Sequence, residues 1–240
     1  MTSGEPRCLL LHGFTGDARD WLPCSDSDAK WLPIDLPGHG QASDPRGGFD
    51  DVIRALLATI PECVETIVGY SLGGRVALGM LREAPERFRQ ATIISAHPGL
   101  TEPELRAERL DQDLSWIRLL RRQGIEAFVQ SWECQPLFET QRSLPPDVLQ
   151  RQRERRLSQR PEGLAGALES LGLGVMPSAW DVLRDYPGRL RWIVGGEDRK
   201  FLAIAQRVRS LRPTTEVAVM AGIGHNPMLE APRALRRLLD

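Results

Sequence analysis

The sequence predicts an α/β fold: a mostly parallel sheet of about six strands, flanked by helices, with a helical insertion. Short apolar runs alternate with amphipathic helical patterns in the first and last parts of the chain, which is typical of a parallel sheet covered on both faces. Between residues 97 and 187 this alternation stops and only helical patterns are found. The length of 240 residues fits one such domain better than two.

Strands and helices of the predicted sheet domain are identified by their hydrophobic periodicity. The strands are short apolar runs bounded by turn residues, at positions 8–11, 31–36, 65–68, 91–95, 190–194 and 216–220. The helices have a 3.6-residue period and are predicted at 49–60, 72–83, 201–211 and 227–239. We expect no antiparallel hairpin ahead of the first strand, because that strand begins close to the first residue.

The helical insertion is predicted to act as a cap over the sheet. Its helical patterns cover residues 102–122, 125–132, 145–157 and 161–171. An insertion between two parallel strands lies over their carboxyl ends, where such folds bind ligands. We therefore expect a core of residues 1–96 and 188–240 and a cap of residues 97–187. An independent helical domain is the alternative.

Composition argues against several classes of partner and cofactor. The formal net charge is −1, so we expect no binding to nucleic acid or to anionic membranes. No apolar run is long enough to span a membrane, and no signal peptide is recognised. We expect a cytoplasmic monomer or small homo-oligomer without metal or organic cofactor. The cysteines form no CxxC pair or zinc-ligand cluster and are interpreted as reduced thiols: Cys8, Cys24, Cys63 and Cys134.

A serine motif follows the third predicted strand. The motif GYSLG, residues 69–73, joins that strand to the helix at 72–83, and this strand–turn–helix setting is that of a nucleophile elbow. Because the turn is tight, small residues are needed two positions on either side of the serine. The Ser71 hydroxyl is then expected at a helix N-terminus, where the dipole favours developing negative charge.

Two further side chains complete a candidate catalytic triad. His225 follows the last predicted strand on a glycine-containing loop, and an imidazole that reaches Ser71 would activate its hydroxyl. Asp198 follows the strand at 190–194, where a carboxylate would orient the imidazole and stabilise its charged form. The neighbouring Glu197 is the alternative acid. The order serine, acid, histidine is that of the α/β-hydrolase fold, which the sequence therefore predicts.

Backbone amides are expected to form an oxyanion hole beside the serine. The loop after the first strand supplies the N–H of Phe14, and the residue after the serine supplies the N–H of Leu72. His12 and His39 lie in the turns after the first two strands. We interpret both as structural histidines rather than as catalytic groups.

Further stretches along the chain match one known family: LHGFTGD (11–17), DLPGHG (35–40), VGYSLGGRVAL (68–78), HPGL (97–100), RAER (106–109), SWECQPLF (131–138), RLSQRPEGLA (156–165), DRKF (198–201) and GHN (224–226). LHGF, DLPGHG and GYSLGG are common to many α/β-hydrolases, whereas GGR after the serine, HPGL before RAER, and the pattern Trp-x-x-Gln-Pro-x-Phe are specific. In these stretches the sequence resembles the 2-succinyl-6-hydroxy-2,4-cyclohexadiene-1-carboxylate (SHCHC) synthases of menaquinone and phylloquinone biosynthesis.

The resemblance implies a lyase that acts on 2-succinyl-5-enolpyruvyl-6-hydroxy-3-cyclohexene-1-carboxylate. A proton is removed next to the succinyl ketone and pyruvate is eliminated. Ser71, deprotonated through His225 and Asp198, would be the base, while the amides of Phe14 and Leu72 would hold the enolate oxygen. A serine hydrolase for a carboxylated ester, thioester or C–C substrate is the alternative. A non-enzymatic protein of this fold would be expected to lack a triad residue.

The resemblance also implies which arginines bind this small polycarboxylate. Arg109 and Arg156 match substrate-binding positions in the cap, and Arg155 or Arg160 is an alternative to Arg156. Planar guanidinium groups are suited to this task because they bind carboxylates through two parallel hydrogen bonds.

Three more residues are expected at the substrate pocket. Arg75 lies one helical turn after Ser71, and helical side chains lean towards the N-terminus of their helix, so Arg75 is expected to approach the site. Tyr70 and Trp132 match positions that line the pocket in the family the sequence resembles.

Overall fold

A six-stranded parallel sheet forms the centre of the computed structural model, which describes residues 7–24 and 30–239. The strand order is β2-β1-β3-β4-β5-β6, and every neighbouring pair is parallel. This confirms the predicted sheet of about six strands. The strands are β1 (Cys8–Leu11), β2 (Trp31–Ile34), β3 (Thr66–Tyr70), β4 (Gln90–Ile94), β5 (Arg189–Gly195) and β6 (Glu216–Met220).

Strand ends differ from the predicted ones by two residues at most. The strand predicted at 31–36 ends at Ile34, two residues earlier, and the next residue, Asp35, bonds other parts of the chain. The Asp35 carboxylate accepts hydrogen bonds from the backbone N–H groups of Ala18 and Gln41, each at 2.8 Å. A side chain that bonds two separate loops holds the backbone out of the strand ladder.

Helices cover both faces of the sheet, as the alternation of elements predicts. Side chains of consecutive strand residues alternate between the two faces: Leu9, Ile67 and Ile93 belong to one buried cluster, and Leu10, Val68 and Ile94 to the other. The helices of this part are α1 (Phe49–Thr59), α2 (Leu72–Glu83), α7 (Arg199–Leu211), α8 (Pro227–Glu230) and α9 (Pro232–Leu239), with a short 3₁₀ helix at Ala18–Cys24.

The helical insertion, residues 95–188 between β4 and β5, contains α3 to α6. Its helices α3 and α5 share a buried cluster of their own that includes Phe128 and Leu164. Trp180 and Leu183 of α6 belong instead to the cluster beneath the sheet, so α6 packs on the core although it lies inside the predicted cap of 97–187. The bounds are α3 (Pro103–Trp132), α4 (Pro146–Leu157), α5 (Pro161–Leu171) and α6 (Trp180–Asp185), with a 3₁₀ helix at Pro136–Ser143.

Glycine and proline interrupt the predicted helical segments at two places. The separate helices predicted at 102–122 and 125–132 agree with the structure, because α3 is interrupted at Gly124, whose backbone (φ 78°, ψ −173°) is not helical. The helix predicted at 227–239 is wrong as a single helix. It divides into α8 and α9 because Pro232 has no N–H to donate and its ring clashes with the preceding turn.

The described residues form no helix that is both long and apolar enough to cross a membrane.

The four cysteines are free thiols, and burial raises the pKa of Cys8 and of Cys24 to about 12. At neutral pH both of these thiols are therefore protonated and behave as small apolar side chains.

The turn between β3 and α2 is the most constrained part of the sheet domain. Ser71 has φ 51° and ψ −106°, which is unusual for a residue with a side chain. A methyl group on Gly69 would overlap the backbone of Gly73, and one on Gly73 would overlap the carbonyl oxygens of Leu11 and His12. The glycines on either side of the serine therefore let α2 pack closely against the end of β1.

Gly73→Ala is expected to destabilise the protein by about 2 kcal/mol, because backbone must move to accept the methyl group. The melting temperature should fall by roughly 4–8 °C for a chain of this size. Gly166→Ala is the matched control, since its methyl group would meet only Pro45 at 3.4 Å, an ordinary contact. This packing argument would be contradicted if Gly73→Ala and the unmodified protein melted within about 1 °C of each other, on the order of experimental error.

Candidate active site

Ser71, His225 and Asp198 lie together at the carboxyl ends of the strands. Nε2 of His225 is 3.1 Å from the Ser71 hydroxyl oxygen, and Nδ1 of His225 is 2.6 Å from a carboxylate oxygen of Asp198. The three residues come from the turns after β3, β6 and β5, respectively. His225 is 2% exposed and Asp198 7% exposed, so the pair is shielded from bulk water.

The hydrogen-bond partners determine which nitrogen of His225 carries the proton. A carboxylate only accepts hydrogen bonds, so Nδ1 donates to Asp198 and Nε2 is left to accept the proton of the Ser71 hydroxyl. The imidazole packs against the rings of Phe201 and Tyr70, with centroids 4.6 and 5.6 Å away. The alternative acid, Glu197, is exposed, and the structure brings Asp198 to the imidazole instead.

Glu230 holds the loop that carries His225, a contact the sequence analysis did not predict. Its two carboxylate oxygens accept hydrogen bonds from the backbone N–H groups of Gly224 at 2.7 Å and Asn226 at 3.1 Å. These residues flank His225, so one carboxylate fixes the backbone on both sides of the imidazole. The Asn226 side chain also caps α8 by accepting from the N–H of Leu229. A glutamate five residues after a histidine has no periodicity that would reveal this contact.

The two predicted oxyanion-hole amides lie in positions that leave their N–H groups without a regular backbone acceptor. Leu72 is the first residue of α2, and the first N–H groups of a helix have no intrahelical acceptor. Phe14 is the second residue of a β-turn closed by the hydrogen bond from Gly16 N–H to Gly13 oxygen. In such a turn the N–H of the second residue is not used. Thr15, with φ 68°, occupies the third position.

Two buried histidines hold the loop of Phe14, and both contacts are structural, as the sequence analysis proposes. Nδ1 of His12 donates to the Gly13 carbonyl at 2.8 Å, and Nε2 accepts from the N–H of Leu36 at 2.9 Å. Burial lowers the pKa of His12, and it lowers the pKa of His39 to about 3. Both rings are therefore neutral. The His39 ring packs edge-on against Phe14, with centroids 5.4 Å apart.

A cavity of about 550 Å³ opens from the serine and extends beneath the helical insertion. Every residue the sequence analysis places in the substrate pocket lines this cavity, together with Ser71, His225 and Phe14 of the candidate machinery. The predicted substrate-binding residues among its lining are Tyr70, Arg75, Arg109, Trp132 and Arg156.

Of the three alternative cap arginines, Arg156 is the most deeply placed. It is 6% exposed, it bonds Glu133 at 3.2 Å, and its guanidinium lies 5.0 Å from the centre of the Phe138 ring. Arg155 also lines the cavity but forms an ion pair with Asp20. Arg160 forms an exposed ion pair with Asp44 at 2.7 Å and is outside the cavity lining.

Arg75 is a buried cation that donates to a backbone carbonyl. It is 8% exposed, and its Nη1 donates to the backbone carbonyl of Leu171 at 2.7 Å. In the described part of the chain, no carboxylate lies within the 4.0 Å of an ion pair with Arg75. Burial and the nearby Arg109 guanidinium lower the pKa of Arg75. An unpaired buried charge is costly, so the site is suited to an anion brought by a ligand.

Aromatic rings also line the cavity, among them Phe14, Trp116 and Trp132. Trp132 stacks on Phe128 at 5.4 Å and contacts Phe14 and Trp116 edge-on, each at 5.2 Å between centroids. The buried indole N–H of Trp132 has no acceptor among residues 7–24 and 30–239. Trp132 itself is one of the residues that line the cavity.

Further polar residues line the cavity that the sequence analysis did not single out. His97 accepts the N–H of Gly99 on Nδ1 at 3.0 Å, which places the proton of the neutral ring on Nε2. Burial and the cations around it, Lys200 first among them, lower the pKa of His97 to about 4. Lys200 lies two residues after Asp198 at the start of α7. Both residues lie in stretches that match the family, HPGL and DRKF, but only the fold shows that they meet at the cavity.

A second cavity, of about 670 Å³, lies at the amino ends of β4, β5 and β6, away from the serine. Three of its arginines are already engaged: Arg212 donates to backbone carbonyls, including that of Gly188, Arg191 pairs with Glu216 at 3.1 Å, and Arg89 pairs with Glu65 at 3.4 Å. We therefore take the smaller cavity as the candidate active site.

No metal-binding group of three His, Cys, Asp or Glu side chains is found in the part of the chain that the structure describes.

Comparison with known proteins agrees with this architecture. The alpha/beta hydrolase family model matches residues 8–238. The 2-succinyl-6-hydroxy-2,4-cyclohexadiene-1-carboxylate synthase of Salmonella paratyphi B is 35% identical over 235 residues, which cover 95% of this chain and 90% of the relative.

Solved structures of two other proteins are also similar to this chain in fold. MenH from S. aureus superposes with a TM-score of 0.91 at 30% identity, covering 98% of this chain and 91% of that chain. A thermophilic esterase from Thermogutta terrifontis, at 22% identity and a TM-score of 0.77 over 98% of this chain and 88% of that chain, shares the fold alone. This chain belongs to the α/β-hydrolase family and, within it, to the SHCHC synthases.

Proposed function

We propose that this enzyme eliminates pyruvate from 2-succinyl-5-enolpyruvyl-6-hydroxy-3-cyclohexene-1-carboxylate and forms SHCHC, a step of menaquinone or phylloquinone biosynthesis. The observation that carries the proposal is the buried guanidinium of Arg75, which forms no ion pair within residues 7–24 and 30–239, in a cavity that also contains a serine–histidine–aspartate array. A neutral ester would leave that charge unpaired, whereas a substrate with several carboxylates neutralises it.

In this mechanism Ser71 is the base. The C–H bond beside the succinyl ketone breaks, its proton goes to the Ser71 oxygen, and His225 holds the proton that the serine gave up. Asp198 stabilises the resulting imidazolium through the 2.6 Å hydrogen bond to Nδ1. The N–H groups of Phe14 and Leu72 donate to the ketone oxygen as it becomes an enolate oxygen.

Elimination follows from the enolate. Its electron pair forms a new ring double bond, the existing ring double bond shifts by one position, and the C–O bond to the enolpyruvyl group breaks. The 3-cyclohexene thus becomes a 2,4-cyclohexadiene, and the leaving group departs as the enolate of pyruvate, which takes up a proton. No oxidant, metal or organic cofactor is needed for this balance of atoms and electrons.

Substrate binding is proposed to rest on the charged and aromatic lining of the cavity. Arg75, Arg109 and Arg156 bind carboxylates, and the ring of Trp132 lines the same cavity. Tyr70 supports the site by packing its ring against His225.

The direct test is pyruvate release from the open precursor, followed by coupling to lactate dehydrogenase and loss of NADH absorbance. We expect one pyruvate per SHCHC formed, with no release by Ser71→Ala. If the protein instead cleaves carboxylated esters or thioesters and releases no pyruvate from the precursor, the hydrolase alternative replaces the lyase.

Ser71→Ala and His225→Ala should each lower kcat by about a thousandfold or more, because the two residues transfer one proton as a unit. The double variant should then be at most about tenfold slower than the slower single variant. Steady-state pyruvate release measures all three proteins. Losses that multiply fully in the double variant would show that the two residues act independently.

Arg75→Met is expected to lower kcat/KM by about a hundredfold, since a substrate carboxylate loses a charged partner. The same change should leave the melting temperature of the ligand-free enzyme equal or higher, because it removes an unpaired buried charge. Arg82→Met on the same helix is the control: Arg82 pairs with Asp50 away from the cavity, and its loss should leave kcat/KM unchanged. Normal kcat/KM in Arg75→Met would show that Arg75 does not bind substrate.

A further inference from the structure

Asp113 is a buried acid beside the arginines of the cavity, and no step of the mechanism uses it. It lies on α3, one helical turn after Arg109, and is 3% exposed. One carboxylate oxygen, Oδ1, accepts the Nε–H of Arg109 at 2.9 Å. The other, Oδ2, is buried without a hydrogen-bond partner in the described residues and faces Gly172, where a methyl group would lie 2.8 Å away.

The guanidinium of Arg75 is anchored to the same end of α5. Its Nη1 donates to the carbonyl of Leu171, the last residue of that helix, and Gly172 follows directly. The carboxyl end of a helix carries partial negative charge, which favours cations. Arg75, Arg109 and Asp113 therefore meet where α5 ends, although they lie on α2 and α3.

Charge balance at this point favours a carboxylate ligand. Arg109 lowers the pKa of Arg75 by repulsion, and Asp113 opposes that effect. Two guanidinium groups and one carboxylate leave a net charge of +1, in a place where Arg75 and Asp113 are almost fully buried. One incoming carboxylate makes the group neutral, which lowers the cost of burying it.

The hydrogen bond from Arg109 also selects which edge of its guanidinium faces the ligand. A guanidinium offers two edges to carboxylates, one formed by Nε with an Nη and one formed by both Nη groups. Asp113 occupies Nε, and no other ion pair of Arg109 is found in residues 7–24 and 30–239. The edge with both Nη groups is left for a second carboxylate.

We propose that Asp113 is a positioning residue, which turns the Nη edge of Arg109 towards a substrate carboxylate and offsets the repulsion between Arg75 and Arg109. The proposal rests on the proposed function in that the carboxylate belongs to its substrate. Asp113 does not contact the reacting atoms, so its effect is on binding and is transmitted through Arg109.

Asp113→Asn is the direct test, because it keeps the shape and the acceptor oxygen but removes the charge. KM for the open precursor should rise about tenfold while kcat stays within about twofold, the size expected for weakening one charge-assisted hydrogen bond. Asp111→Asn, an exposed acid on the same helix, is the matched control and should leave KM unchanged. An unchanged KM in Asp113→Asn overturns the proposal.

A double-mutant cycle separates positioning from general damage to the fold. In an Arg109→Ala background, Asp113→Asn should raise KM no further, because the residue it positions is absent. An equal rise in both backgrounds identifies a purely structural role and overturns the proposal. If Asp113→Asn does not fold, Arg109→Lys changes the other partner of the Arg109–Asp113 contact. A lysine keeps the positive charge but lacks the two hydrogen-bonding edges of the guanidinium, so KM should rise by the same amount.

Calorimetry with citrate distinguishes failure of this proposal from failure of the proposed function. Citrate is a simple tricarboxylate that needs no catalysis to be observed. If the unmodified enzyme releases no pyruvate, the lyase proposal fails, but weaker citrate binding by Asp113→Asn than by the unmodified enzyme still supports a carboxylate site positioned by Asp113. Equal citrate binding by the two proteins, or none by either, overturns the proposal.

Discussion

The hydrogen bond between His225 and Asp198 is the contact on which the candidate site depends. It joins the loop after β6 to the loop after β5, and His225 then reaches across to Ser71 after β3. The three loops meet because parallel strands present their carboxyl ends at one edge of the sheet. If this bond were lost, the imidazole would have no fixed tautomer and the Ser71 hydroxyl no oriented acceptor.

Several contacts serve to keep that geometry in place. The strained backbone of Ser71 is held by its N–H bond to the carbonyl of Ile94 at 2.9 Å and by the close packing of Gly73. Glu230 fixes the backbone on both sides of His225. Strain at the serine is thus compensated by rigid surroundings, which is the usual condition for keeping an unfavourable backbone conformation at a functional site.

Much of this arrangement could be predicted from the sequence because it depends on local patterns. Apolar runs identified all six strands, and the glycines around Ser71 identified the elbow. The contacts that were missed depend on tertiary structure. By spacing alone, Arg109 and Asp113 are an ordinary surface pair on a helix, and only the packing of α5 reveals that Asp113 is buried. The division of the last helix was missed although Pro232 signals it, because the hydrophobic pattern continues across the break.

In the proposed mechanism Ser71 removes a proton and forms no covalent bond to the substrate. An esterase with the same three residues would attack a carbonyl and become acylated. Rapid quench of the enzyme with the open precursor during turnover, followed by mass spectrometry of the Ser71 peptide, tests this most directly. We expect an unmodified Ser71 at every time point while pyruvate accumulates. A Ser71 adduct that forms and decays at the rate of turnover would contradict it.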